Sequence, residues 1–213
     1  MKSIQFIRLV VAIAVVTLFS CQGKNAGNSP DNENKNAVVK TNSKGKYAIK
    51  SGIIEYNGTV MGMQQTQTQI FDDYGNKEVT LTQMEMMGVK TDQHTLTKDG
   101  FTYTFDMKEK TGTKTPVSPV TNIDFRNLTE DMKNAMKLEE LGKETFLGKS
   151  CVKYSLDYDR YQMKGSFLVW NGIPLKTNID MSGIEVNLEA TKIEENPTIP
   201  AGTFDVPDDI KFQ

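Results

Sequence analysis

A two-residue period of apolar side chains, cut into short runs by turn dipeptides, constrains this chain more than any other feature. Phe101, Tyr103, Phe105 and Met107 fall on one side of an extended segment, with Thr102, Thr104 and Asp106 on the other. Val152, Tyr154, Leu156 and Tyr158 repeat the pattern and leave Cys151 on the polar side. Ile173, Leu175, Ile179 and Met181 alternate with Lys176, Asn178 and Asp180. Ile184, Val186, Leu188 and Ala190 alternate with Glu185, Asn187 and Glu189. Between the runs stand Asn57-Gly58, Tyr74-Gly75-Asn76, Asp99-Gly100, Asn171-Gly172 and Ser182-Gly183, each supplying a residue suited to positive φ. The runs therefore predict a long antiparallel meander with one apolar and one wetter face. No period of about 20–50 residues recurs, which argues against a solenoid or a propeller.

One segment breaks the rhythm. Residues 129–142 offer Thr129 as an N-cap, Glu130 and Asp131 in the first turn, and Gly142 as a stop. Met132, Ala135, Met136 and Leu141 form a stripe that suits a helix laid across a sheet. The predicted class is β-rich α+β: a curved antiparallel sheet with a helix over its apolar face.

The first 45 residues follow a different logic. Lys2 and Arg8 flank the start of an apolar stretch from Leu9 to Phe19, interrupted only by Thr17. Its length is roughly 16 Å at helical rise, about half a hydrocarbon core, which reads as a signal-peptide core and not a membrane span. The sequence Leu18-Phe19-Ser20-Cys21 resembles the lipobox of bacterial lipoproteins, in which the Cys thiol takes a diacylglycerol and the mature residue carries acyl chains such as palmitate. Residues 1–20 are then a leader, residues 21–45 a lipidated polar tether, and residues 46–213 the folded domain. The tether has too little apolar content to offset its ordering entropy and reaches about 25–30 Å as a coil. Loss of Lys2 and Arg8 with the leader moves the net charge from −2 to −4, a mild acidity that argues against a nucleic-acid partner. Lipidation of Cys21 leaves Cys151 as the one remaining cysteine, so the domain stands on its hydrophobic core without a disulfide.

Several stretches carry a family resemblance. They are Gly142-Lys-Glu-Thr-Phe-Leu-Gly-Lys-Ser-Cys-Val-Lys-Tyr154, Phe167-Leu-Val-Trp-Asn-Gly-Ile-Pro-Leu-Lys176 and Asn196-Pro-Thr-Ile-Pro200 with Phe204 and Pro207. Thr97-Lys-Asp-Gly-Phe-Thr-Tyr-Thr-Phe-Asp106 adds a central hairpin. Together they resemble the LolA/LolB-like lipoprotein-carrier superfamily, as it occurs in small Bacteroidetes-type envelope lipoproteins. The resemblance implies an incomplete, strongly curved β-barrel whose concave apolar face is lidded by helices and accepts acyl chains. The carrier proper latches its lid with an arginine from the early strands, whereas this chain has no Arg between Arg8 and Arg126, and a lysine does not reproduce a bidentate fork. In some Bacteroidetes-type lipoproteins an acidic cluster after the lipidated Cys marks surface export. Gln22-Gly23-Lys24-Asn25 has none, and the first acid is Asp31, so the expected place is the outer membrane, facing the periplasm.

The residues give little support for catalysis. His94 is the one histidine and reads as a solvated loop residue without partners at metal-ligand spacing. Asp72-Asp73 and Asp157-Tyr158-Asp159 read as solvated turns, and nothing adjacent in sequence activates Cys151. No phosphate loop or nucleophile elbow occurs. A non-enzymatic protein without metal or cofactor is expected, attached to the membrane through Cys21 and binding or shielding an acyl-chain ligand. The expected cavity walls are Phe101, Tyr103, Phe105, Leu175 and Ile179, with Met132 and Met136 from the lid. Methionine-rich walls adapt to ligands of variable shape, and they equally fill gaps in a curved core. The alternative is an interaction lipoprotein with a packed core that recognises an envelope protein partner.

Overall fold

Each alternating run pairs with the next through a tight turn, so most strand neighbours in sequence are also neighbours in space. The computed structural model describes residues 44–86, 88–118 and 122–213; Cys21, the leader and nearly all of the tether lie outside the described residues. The strands are β1 (Gly52–Val60), β2 (Met63–Asp72), β3 (Lys77–Met86), β4 (Val89–Lys98), β5 (Phe101–Asp106) and β6 (Thr111–Pro116). After a short helix α1 (Glu130–Met136) come β7 (Glu139–Phe146), β8 (Lys149–Tyr158), β9 (Met163–Trp170), β10 (Ile173–Met181), β11 (Ile184–Glu195) and β12 (Lys211–Phe212). They form one curved, open sheet in the order β12-β6-β5-β4-β3-β2-β1-β11-β10-β9-β8-β7. Two meanders, β1–β6 and β7–β11, meet where β1 lies antiparallel to β11, with Gly52 opposite Glu195 and Val60 opposite Val186. Only β12 runs parallel to its neighbour, placing Lys211 and Phe212 beside Thr111 and Gly112. The predicted class holds: an incomplete barrel, β-rich, with a helix on one face.

Most predicted turns occur where the dipeptides stand. Asp99-Gly100, Asn171-Gly172 and Ser182-Gly183 all take positive φ and join successive strands. Asn57-Gly58 does not: both residues sit inside β1, and Met61-Gly62 makes the turn instead. Gly58 is needed for close approach, since a Cβ there would lie 1.9 Å from the Asn187 carbonyl oxygen on β11. The helix is also shorter than predicted. Thr129 does cap it, accepting a bond from the Met132 amide, but Lys137 ends it in the left-handed region. Glu139 to Gly142 join β7 instead, and Leu141 is exposed there rather than on the helix stripe.

Register reveals that the sheet exchanges its apolar face. One cross-strand row runs from Tyr154 and Phe167 through Thr177, Leu188 and Gly58 to Gln65, Met84 and Thr91. Over β8–β11 this face is apolar, and α1 lies on it at β8. Over β2–β5 the same face carries Gln67 beside Thr82, and Gln69 beside Thr80, Thr95 and Thr104. There the apolar row is on the opposite face, as Ile70, Val79, Leu96 and Tyr103. The segment after β11 covers it with Phe204, Val206 and Ile210. Two features of β10 complete the picture: a bulge at Leu175, and the exchange it produces. Ile173 and Leu175 pack in one cluster, Ile179 and Met181 in another, although all four share one sequence parity.

Candidate functional site beneath the helix

Helix α1 buries Met136 against Leu156, Met163, Phe167 and Val169. Around that centre lie side chains that are only partly covered: Ile123, Phe125 and Leu128 from the approach to the helix, Met132 from the helix, and Tyr154, Ile179 and Met181 from the sheet. Phe125 sets its ring edge-on to Phe167, with centroids 5.2 Å apart, and lies 5.4 Å from Tyr154. A seven-residue helix is too short to hold itself, so it depends on this packing and on its ends. At the C-terminal end Lys137 Nζ reaches Asp159 Oδ2 at 2.7 Å, an exposed pair that tethers the helix end to the turn after β8. The result is an apolar surface, rich in methionine and aromatic rings, under a small helical cover.

A polar latch borders this surface. Glu78 projects from β3 between Lys46 Nζ, 2.9 Å away, and the Tyr47 hydroxyl, which donates to the same carboxylate. Gln69 Nε2 donates to the Tyr47 hydroxyl, while the Tyr56 hydroxyl donates to Gln69 Oε1 and to the Pro174 carbonyl. Burial alone would raise the Glu78 carboxyl, but the Lys46 charge and the hydrogen bonds from Tyr47, Lys46 and Gln69 outweigh it and hold the group below its usual value. Burial foremost, then the Glu78 charge, pushes both Tyr47 and Tyr56 well above the ordinary phenol range. Arg126 closes the latch from the helix side. Its Nη1 donates to the carbonyls of Gly45 and Tyr47, and its aliphatic stem lies against the Gly172 turn. Lys46 Nζ also donates to Asn122 Oδ1. The segment leading in from the tether is thus clamped to the loop that precedes α1.

The predicted wall residues do not share one surface. Met132, Met136 and Ile179 come together under the helix. Leu175 is fully buried in a separate cluster with Tyr47, Ile54 and Phe71. Phe101, Tyr103 and Phe105 lie on the opposite face of the sheet. There Phe105 packs with Leu96 and Ile210, Tyr103 meets the Phe212 ring, and Phe101 is 38% exposed under Lys114. The exchange of faces thus corrects the expectation that these seven positions form one wall. His94 stands in β4 rather than in a loop, partly buried with its ring 5.4 Å from Phe105 and 3.6 Å from Asp92. Cys151, on the polar side by alternation, has no accessible surface, because Leu168, Ile173 and Leu175 cover that side of β8. Burial raises its thiol further from reactivity. Asp72 and Asp73 do flank the predicted turn. Among the described residues no group of three or more His, Cys, Asp or Glu is arranged to hold a metal ion, and no helix is long and apolar enough to cross a membrane.

Two open clefts lie elsewhere on the sheet. One, of about 390 Å³, is lined by Asn57, Gln64, Asn178 and Asn187 among others. The second, of about 690 Å³, is lined mainly by Gln64, Thr66, Gln83, Glu85, Lys90 and Asp92, on the face opposite to the Gln65, Met84 and Thr91 side chains. The sequence reading missed the latch and these carboxamides. On the other face Gln65, Gln67 and Gln69, then Thr80 and Thr82, recur at the period of a strand, a polar row that the alternation itself signals.

No family model and no curated protein matches the sequence. Among solved structures, the chain is similar to an uncharacterized conserved protein from Thermus thermophilus, with a TM-score of 0.52 at 9% identity over 78% of this chain and 91% of that one. It is also similar to MucB, known from Pseudomonas aeruginosa, with a TM-score of 0.48 at 13% identity over 75% of this chain and 58% of that one. A domain from Vibrio parahaemolyticus named for outer-membrane lipoprotein sorting matches with a TM-score of 0.36 at 10% identity over 73% of this chain and 89% of that one. The Thermus protein shares the fold, and its likeness extends no further than the fold.

Proposed function

We propose that this chain is a lipid-anchored envelope protein of the LolA/LolB-like superfamily that holds an acyl chain, without catalysis, on the sheet face beneath α1. The observation that carries the reading is the incomplete burial of the cluster under the helix. Phe125, Met132, Tyr154, Ile179 and Met181 present apolar surface that a seven-residue cover leaves partly open. Displacing α1 outward about its loop would let an acyl chain replace the contacts of Met132 and Met136, exchanging one apolar neighbour for another. The lipobox-like context of Cys21 supports attachment to a membrane, and the lack of an acidic cluster directly after it supports the periplasmic face of the outer membrane.

A titration of the protein with a fluorescent fatty acid tests the reading. Met136→Glu, which sets an unpaired charge in the buried centre of the cluster, is expected to weaken binding sharply. Absence of saturable binding by the unaltered protein, together with absence of lipid in extracts of protein taken from its own membrane, would refute it. A second reading, an interaction lipoprotein that recognises an envelope partner, is favoured by the tight centre formed by Met136, Leu156, Met163 and Phe167. Cross-linking in intact cells that captures one reproducible partner, in a protein free of lipid, would favour it.

A further inference from the structure

Residues 44–48, where the folded domain takes over from the tether, run as a strap past the turns that join β2 to β3 and β9 to β10. The Tyr47 amide donates to the Tyr74 carbonyl and the Ala48 amide to the Asn171 carbonyl, each at 2.9 Å. Asn76 Nδ2 donates to the Lys44 carbonyl at 3.4 Å. The Tyr47 ring, buried edge-on against Phe71 with centroids 4.5 Å apart, pins the inner end of the strap to the core. Its outer end, Lys44 and Gly45, has no such anchor.

The loop before α1 holds this strap with one set of side chains and walls the apolar cluster with another. Asn122 and Arg126 face the strap. Asn122 Oδ1 accepts from Lys46 Nζ at 2.5 Å, and Arg126 Nη1 donates to the Gly45 and Tyr47 carbonyls at 3.1 and 2.6 Å. Ile123 and Phe125, between them in sequence, pack instead on the cluster beneath α1, as does Leu128. Asp124 stiffens the loop: its carboxylate accepts from the Arg126 and Asn127 amides at 3.0 and 3.1 Å, and from Asn127 Nδ2 at 2.6 Å. A loop tied to itself in this way moves as a unit, so a shift of Phe125 off Phe167 and Tyr154 carries Arg126 with it.

Resting on the acyl-chain reading above, we infer that the strap regulates the apolar site: a bound chain and the docked strap compete for one loop. A chain lying on Phe167 and Tyr154 takes the place of Phe125 and pushes the loop outward. The bonds from Arg126 and Asn122 to the strap then break, Tyr47 and the Lys46–Glu78 pair hold its inner part, and Lys44 and Gly45 come loose. Coupling between two equilibria is reciprocal, so loosening the strap favours the bound chain by the same factor. A pull on the tether therefore opens the site, and a filled site slackens the tether where it joins the domain.

Hydrogen exchange of the full-length protein on phosphatidylcholine vesicles, resolved to single amides with and without oleic acid, tests this. At saturating oleic acid the Tyr47 amide is expected to exchange at least about fivefold faster, while the Arg126 and Asn127 amides, bonded within the loop, keep their rates. Arg126→Met keeps an aliphatic stem against the Gly172 turn and removes both bonds to the strap. It should bind oleic acid about fivefold more tightly, and Asn122→Ala should shift affinity the same way by less. If Arg126→Met fails to fold, Asn122→Ala decides alone. Saturable binding that leaves Tyr47 exchange unchanged or slows it, or folded variants with wild-type affinity, overturns the coupling and leaves the acyl-chain reading standing. Absence of saturable oleic acid binding overturns both.

Discussion

Replacing Glu78 by Gln isolates the charge of the latch from its shape. Lys46 Nζ lies 2.9 Å from Glu78 Oε2, and the two side chains are 13% and 15% exposed. At an effective dielectric of about 20 the gross attraction is roughly 6 kcal/mol, most of it offset by the cost of taking both ions out of water. Removing one partner of a buried pair costs about 3–5 kcal/mol. The residual exposure and the second acceptor for Lys46 at Asn122 soften this, so about 2–3 kcal/mol is expected. The glutamine oxygen can still accept from Tyr47, but its amide then faces the ammonium, donor against donor. In a domain of this size the change corresponds to roughly 5–10 °C in melting temperature. Urea unfolding followed by Trp170 fluorescence measures it, provided the slope is unchanged. The sign with pH follows from the lowered Glu78 value. The stabilisation is present above the unfolded carboxyl value of about 4.3 and is lost as pH falls through the lower folded value. The gap between wild type and Glu78→Gln should therefore close below about pH 4. A difference under about 0.5 kcal/mol at pH 7, with parallel acid limbs, would refute the claim that charge holds the latch.

The raised Tyr47 and Tyr56 hydroxyls predict the opposite limb: stability is full below about pH 10 and falls as pH rises beyond it, and absorbance at about 295 nm should show these two phenols ionising only with unfolding. Gly58→Ala, which drives a Cβ into the Asn187 carbonyl, is expected to cost about 3 kcal/mol or more, whereas Gly62→Ala meets no neighbour and carries only its positive-φ penalty of about 1–2 kcal/mol; thermal melts of the pair compare them. Cys151 should resist a thiol reagent in the folded protein and react at the rate of global unfolding, so rapid labelling without denaturant would contradict its burial. Cys21→Ser is expected to abolish acylation and move the protein out of the membrane fraction, as judged by fractionation and metabolic labelling with palmitate.

The class of fold was legible because strand alternation and positive-φ dipeptides are local properties. Asp99-Gly100 and Asn171-Gly172 marked real turns for that reason. Asn57-Gly58 misled because a glycine at a crowded strand crossing looks the same as a glycine in a turn; only the position of Asn187, far away in sequence, separates them. The helix start was legible in Thr129, but its end was not, since pairing of Glu139 and Glu140 with β8 overrides the helical pattern there. The candidate site was read only in part. Met132, Met136 and Ile179 meet in one cluster, while Tyr103 and Phe105 have the same alternation yet face the C-terminal segment. Period two gives two faces without saying which is covered, and a single bulge at Leu175 reverses the answer within one strand.

The pairing of β1 with β11 has a consequence for how the protein is made. Gly52 finds its partner only when Glu195 has been synthesised, and β12 must still cross to the far edge to lie beside β6. The N-terminal meander can form its own hairpins early, but one side of β1 stays open until almost the whole chain exists. Such distant pairing slows folding, since loop closure must precede the contacts that reward it. Under the export proposed above, that delay would let the chain reach the secretion machinery while still extended, with its last strands completing the sheet on the far side.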